Sequence, residues 1–151
     1  MAITNNSRLA GSTVYVAGHR SFAGSAIMRR LQREHCVRGV GITRAELDLA
    51  YQAAVHRFFE EEHPDFVFLA AARVGGILGN KTRPAQFIPE NLAIQTSVIL
   101  AAHRFGVKRV LFLGSCCIYP RDCPQQIKEE YLLTGPLEGP TALRRCQDYR
   151  H

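Results

Sequence analysis

The stretch "STVYVAGHRSFAGSAI" (residues 12–27) decides the fold: a continuous apolar run ends in a glycine-bounded turn and passes straight into a segment with helical spacing. "STVYVAG" (12–18) reads as a buried strand, and a helix follows from about Gly24 to Glu34 with Ala26, Ile27 and Leu31 on one face. Between them "GHRSFAG" sets Gly18 and Gly24 at the outer positions of a G-x-x-G-x-x-G pattern, with Ser21 in the middle place. Glycines suit a turn whose backbone bends sharply and comes close to a pyrophosphate, whose charge is met by amides at the helix N-terminus. A tight strand-to-helix turn without a ligand is the alternative. Ser21 lacks glycine's access to positive φ, so affinity for a dinucleotide is expected to fall if the turn needs that freedom there.

The same alternation continues along the chain. "VRGVGI" (37–42) is a weaker second strand, and "YQAAVHRFFEEEH" carries Val55, Phe58 and Phe59 at helical spacing before Pro64 closes it. "DFVFLAA" gives a third strand. A long helix is expected from about Pro84 to Phe105, with Phe87, Leu92, Ile94, Ile99 and Ala102 inward and Gly106 as its stop. "KRVLFLGS" is the fourth strand. The order βαβαβαβ implies an α/β fold: a Rossmann-type parallel sheet with right-handed crossovers and helices on both faces, incomplete at about four strands. In a strand order of 3-2-1-4-5-6 the fourth strand is flanked by a fifth, which these residues do not supply. An open edge is therefore expected, with Val110, Leu111, Phe112 and Leu113 partly uncovered.

Composition narrows the function. The 151 residues are 46% hydrophobic and 21% charged, as in ordinary globular domains, and the formal net charge of +6 comes from scattered arginines. That excess favours anionic ligands over nucleic acid, since no basic-aromatic stripe is present. No apolar run approaches the roughly 20 residues that span a bilayer, and "MAITNNSRLAGST" lacks an apolar signal core, so a cytoplasmic protein with no membrane partner is expected. Cys36, Cys116, Cys117, Cys123 and Cys146 show no C-x-x-C spacing, which reads as reduced thiols with neither a disulfide framework nor a zinc site.

Several side chains fall where ligands of such folds lie. NAD-type sites place an acid at the end of the second strand for the ribose hydroxyls, whereas "GITRAELDL" brings Arg44, joined by Arg20 of the glycine loop. Two guanidiniums suit a 2′-phosphate; two solvated surface arginines are the alternative. Glu46 and Asp48 read as residues of a first helical turn near the adenine side. "AAARVGGILGNKTRPAQF" sets Gly75 and Gly76 after the third strand, as a ligand-lining loop or a plain connection, and Asn91 lies within the long helix as an exposed amide or as a bridge across a bent helix or to the site. "GSCCIYP" (114–120) follows the fourth strand, where Ser115 suits a hydrogen bond to a substrate oxygen and a thiol of tuned pKa suits proton exchange, with apolar packing of the cysteines as the alternative.

Taken together, "VAGHRSFAGSAI", "AAARVGGILGN", "NLAIQT", "FLGSCCIYP" and "LLTGPLE" resemble the GDP-L-fucose synthases, extended short-chain dehydrogenase/reductases, throughout residues 12 to 138. The resemblance implies a Rossmann domain binding NADP(H), a smaller C-terminal substrate domain and a homodimer. It also implies a two-part reaction, 3,5-epimerisation of GDP-4-keto-6-deoxy-D-mannose followed by 4-reduction with NADPH. Carried over by position, Gly18, His19, Arg20, Ser21, Phe22, Ala23 and Gly24 form the phosphate loop. Arg44, Ala45, Glu46, Leu47, Asp48 and Leu49 line the adenosine ribose, and Leu113, Gly114, Ser115 and Cys116 make a strand-end cofactor contact. Ser115 matches the serine that hydrogen-bonds the substrate at C4, and Cys117 the thiol that acts as acid/base in the epimerisation. The pattern there is G-S-S-C, so Cys116 replaces a serine, and Ser21 stands where glycine is usual.

On this basis residues 1–11 are expected to be a disordered N-terminus, 12–120 a partial NADP-binding Rossmann domain, and 121–151 an irregular, truncated tail. Reductases of this superfamily use Y-x-x-x-K, a proton-donating Tyr and the Lys that lowers its pKa. No tyrosine here has a lysine four places on: "LLTGPLE" runs into "GPTALRR" and "CQDYRH", the latter resembling a downstream C-Q-x-Y-R. The resemblance therefore leads us to expect a chain that is catalytically inactive by itself, with a non-catalytic NADP-binding fragment or an interaction partner of full-length subunits as the alternative.

Overall fold

The structure, a computed structural model, describes residues 9–34, 37–73, 84–115 and 118–136. Its elements in chain order are β1 (Thr13–Ala17), α1 (Phe22–Gln32), β2 (Arg38–Val40), α2 (Gln52–Glu62), β3 (Phe66–Leu69), α3 (Pro84–Arg104), β4 (Arg109–Phe112) and a 3-10 turn at Glu129–Tyr131. They fall into two units, one made of the chain up to Ala72 with Ala93–Leu113, the other of Arg73–Leu92 with the chain from Gly114 onward.

The first unit holds a fully parallel sheet in the order β2-β1-β3-β4. Tyr15 lies level with Val40 on one side and Val67 on the other, and Val67 level with Val110. Among the described residues no strand lies outside β2, so the expected order 3-2-1-4-5-6 is corrected to 2-1-3-4. The reason is local: after β2 the chain turns at Arg44–Glu46 and Leu49–Ala50 instead of extending, held by hydrogen bonds of Glu46 and Leu47 amides to the Thr43 carbonyl.

Strand alternation sorts the side chains onto two faces. Tyr15, Ala17, Val67 and Leu69 pack with Val55 and Phe59 of α2 and Ile94, Val98, Ala101 and Ala102 of α3. The Tyr15 ring meets Phe58 at 4.7 Å and Phe59 edge-on at 5.9 Å, and burial pushes its phenol above the ordinary range. Val14 and Val16 face the other way, onto Leu31 with Ile27 and Met28 of α1. Two expected inward residues are corrected: Ala26 is exposed, and Ile99 is 49% exposed because the buried stripe of α3 runs through Ile94, Val98, Ala101 and Ala102. Helix ends follow the expected chemistry, with Gly106 at φ +69 ending α3 and His63, one residue before Pro64, in the left-handed region ending α2.

α1 covers only part of its face. Beside it lies a groove of about 540 Å³ lined by Leu9, Phe66, Val67, Phe68, Lys108, Arg109 and Leu111, and Leu111 is half exposed. No described helix is long and apolar enough to cross a membrane.

Asp65, just before β3, clamps two strands: its carboxylate accepts from the Thr13 amide (2.9 Å) and pairs with Lys108 (2.7 Å). The Lys108 hydrogen bond, then the Thr13 amide, hold this carboxyl below its ordinary value of 3.8. A lowered folded-state pKa means that the clamp's contribution is complete above that value and is lost as the pH falls through the lower, folded one. Acid unfolding of Asp65→Asn is expected to start from a lower neutral-pH stability and to show a flatter pH dependence below 3.8 than the parent. Parallel acid titration curves followed by circular dichroism would contradict this.

Candidate functional site

β1 is buried to its last residue, Ala17, and the chain then turns at Gly18, whose φ of +80° is left-handed. A β-carbon on Gly18 would lie 2.8 Å from backbone atoms of Ala70 and Ala71, so the turn is pressed against the end of β3. A β-carbon on Gly24 would meet the Gly18 carbonyl oxygen at 2.2 Å, which fixes the first turn of α1 against the same loop. This is the C-terminal edge of a parallel sheet, with a helix N-terminus directed at it, where α/β folds carry their ligands.

Ser21 corrects an expectation. Its φ is −68°, ordinary for any residue, so the middle place of the loop needs no glycine freedom. Its hydroxyl instead accepts from the Gly24 amide at 3.0 Å and caps α1. Phe22, the first helical residue, is 97% exposed. The His19 ring lies against Gly41, where a β-carbon would come within 2.6 Å of it, and its Nδ1 is buried without a hydrogen-bond partner among the described residues. The glycine loop thus touches the segment that follows β2.

That segment carries Arg44, Glu46 and Asp48, which lie in turns and not in a helix, since α2 begins only at Gln52. Thr43 and Glu46 close on each other: the Thr43 hydroxyl (2.5 Å) and amide (3.0 Å) both donate to Glu46 Oε2. These bonds hold Glu46 below the usual carboxylate range, and the charge of Arg20 acts in the same direction. Asp48 accepts from the Ala50 amide (3.0 Å) and faces the Arg44 guanidinium (3.5 Å). Leu47 and Leu49 are buried in the core, whereas Arg20, Arg44 and Ala45 are exposed.

Leu113 continues the sheet beyond β4, its amide donating to the Leu69 carbonyl (3.1 Å). In the second unit Gly114 is exposed and Ser115 half-buried, with the Ser115 carbonyl accepting from the Ile118 amide (3.3 Å). Cys116, Cys117, Gly75 and Gly76 lie outside the described residues. Cys123 is a free thiol, and the described residues hold no group of three metal-ligating side chains.

Asn91 is not exposed but buried. It is 2% exposed and pairs with Arg73 in both directions, its Oδ1 accepting from the Arg73 amide (2.7 Å) and its Nδ2 donating to the Arg73 carbonyl (3.0 Å). The Arg73 guanidinium reaches Glu90 at 2.5 Å and lies over the Phe87 ring. Asn91 is thus a side chain that imitates a strand neighbour, a role that an isolated amide in a helical pattern does not announce.

The sequence pattern of the NAD dependent epimerase/dehydratase family matches residues 14–143. A putative GDP-L-fucose synthase 2 of Arabidopsis thaliana is 52% identical over 147 residues, 91% of this chain and 44% of that protein. The GDP-L-fucose synthase of Escherichia coli is 50% identical over 125 residues, 83% of this chain and 39% of that protein. Among solved structures, a GDP-mannoheptose C4 reductase from Campylobacter jejuni with NADP bound superposes with a TM-score of 0.83 at 41% identity, over 91% of this chain and 44% of that one. The chain spans less than half the length of these relatives.

Proposed function

From the premise that the chain belongs to the NAD dependent epimerase/dehydratase family, we propose that it is the NADP(H)-binding part of a GDP-L-fucose synthase-like reductase and epimerase. The observation that carries this reading is the left-handed Gly18 turn, pressed on Ala70–Ala71 at the C-terminal sheet edge in front of α1. A dinucleotide fits it: the two glycine positions leave no room for a side chain, so only backbone faces the ligand there, and the exposed Phe22 ring is an apolar surface that a bound nucleotide would cover. Gly18 to Gly24 would hold the pyrophosphate, and Arg20 and Arg44 the 2′-phosphate. The cofactor, when bound, supplies hydride for reduction of a 4-keto sugar.

The substrate assigned by this reading is GDP-4-keto-6-deoxy-D-mannose, with Ser115 at its C4 oxygen and Cys117 as acid/base. These 151 residues contain no Y-x-x-x-K, so turnover is not assigned to them alone. A cytoplasmic homodimer is the matching assembly. The test is a fluorescence titration with NADPH and NADH. NADPH is expected to bind more tightly, and Arg44→Ala to weaken NADPH by about tenfold, the worth of one charge-assisted hydrogen bond, while leaving NADH unchanged. Equal affinities in the parent chain would overturn the assignment.

A further inference from the structure

The segment after β2 holds two carboxylates, yet neither presents itself as a ribose ligand. An Asp or Glu at this place accepts from the adenosine ribose hydroxyls in NAD-binding folds, and the same charge repels a 2′-phosphate. Here both acids have local partners. Asp48 is bonded to a backbone amide two residues on and faces Arg44, while Glu46 accepts twice from Thr43. The backbone amide that holds Asp48 is present whatever side chain stands at Ala50. The Thr43 hydroxyl depends on the side chain at that position, and it makes the shorter of the two Thr43–Glu46 bonds.

Glu46 is solvent-exposed, the segment that carries it meets the glycine loop where the His19 ring lies against Gly41, and the charge of Arg20 in that loop acts on its carboxylate. A carboxylate released from Thr43 therefore sits within reach of the same ligand end as the arginines. We propose that Thr43 is a specificity-determining residue for the dinucleotide: by holding the Glu46 carboxylate on its own hydroxyl and amide, it withholds the acceptor that NAD(H) needs and leaves the ribose end to Arg20 and Arg44. The inference rests on the reading of this loop as an NADP(H) site. Thr43 touches no cofactor in this account; it acts through Glu46.

The experiment compares NADPH and NADH affinities of the 151-residue chain by fluorescence titration in Thr43→Val, Thr43→Ser, Glu46→Gln and Thr43→Val/Glu46→Gln. Losing one hydrogen bond to Glu46 is expected to shift the NADPH-to-NADH affinity ratio by about fivefold toward NADH in Thr43→Val. The serine variant, which keeps the hydroxyl, retains the parental ratio, and the double variant returns to it because no carboxylate is left to release. Glu46→Gln alone gives no shift of the ratio toward NADH. An unchanged ratio in Thr43→Val, a shift that persists in the double variant, or a shift toward NADH in Glu46→Gln overturns the proposal while leaving the NADP(H) reading intact. A parent chain that binds neither dinucleotide removes that reading, and the proposal with it.

Discussion

Replacing Gly18 by alanine is expected to lower the unfolding temperature by about 10 °C and to abolish NADPH binding. Two costs add. A non-glycine residue in the left-handed region gives up roughly 1–2 kcal/mol. The new β-carbon also falls 2.8 Å from the Ala70 carbonyl group and from Ala71 Cα, backbone atoms that cannot swing aside, and such overpacking costs about 1–3 kcal/mol. Together they come to about 3 kcal/mol, and in a chain of this size each kcal/mol moves the midpoint by about 2–4 °C. Gly106 separates the two terms, because it has φ +69° but nothing within 4 Å of an added β-carbon, so Gly106→Ala is expected to show the strain alone. Differential scanning calorimetry of both variants decides it: equal midpoints would mean that the glycine turn is not pressed against β3.

Why the sheet is legible in the sequence and the ribose segment is not follows from how far each signal reaches. β1, β3 and β4 announce themselves as short apolar runs, and the residues that form them pair in one register, so local pattern and tertiary structure agree. β2 is only three residues long, and nothing in "VRGVGI" says that no further strand follows it. The signal for the ribose segment is nevertheless present in "TRAE", the spacing of a capping box, in which a Thr and a Glu three residues on satisfy each other. Assigning Glu46 to a first helical turn captures that spacing and misses that the turn goes no further. The place of Ser21 in the glycine pattern suggests a need for positive φ, but the need is set by the dihedral angle of the turn, which the pattern does not encode. The pairing of Asn91 with Arg73 joins residues 18 apart through a side chain, and no periodicity encodes it.

The two faces of the sheet should respond to mutation to very different degrees. Phe59 is fully buried on the face shared by α2 and α3, edge-on to Tyr15 at 5.9 Å and Phe58 at 5.9 Å, so Phe59→Ala leaves a cavity that its neighbours cannot fill. Such truncations cost about 3–5 kcal/mol, against a total stability of about 5–15 kcal/mol for domains of ordinary size. The variant is expected to lose at least about a fifth of that stability, with its urea midpoint lowered by a similar fraction. Leu111, on the grooved face, is half exposed already, and among the described residues β4 pairs on one side only. Leu111→Thr removes little burial and places a β-branched side chain, which suits a strand, in β4, so its stability should stay within about 0.5 kcal/mol of the parent. It also takes an apolar side chain off an open sheet edge, the feature through which strands of separate chains associate. Sedimentation velocity is therefore expected to show less self-association in Leu111→Thr than in the parent at equal concentration. A loss of stability in Leu111→Thr comparable to that in Phe59→Ala would show that the grooved face is covered in solution and carries as much of the core as the other.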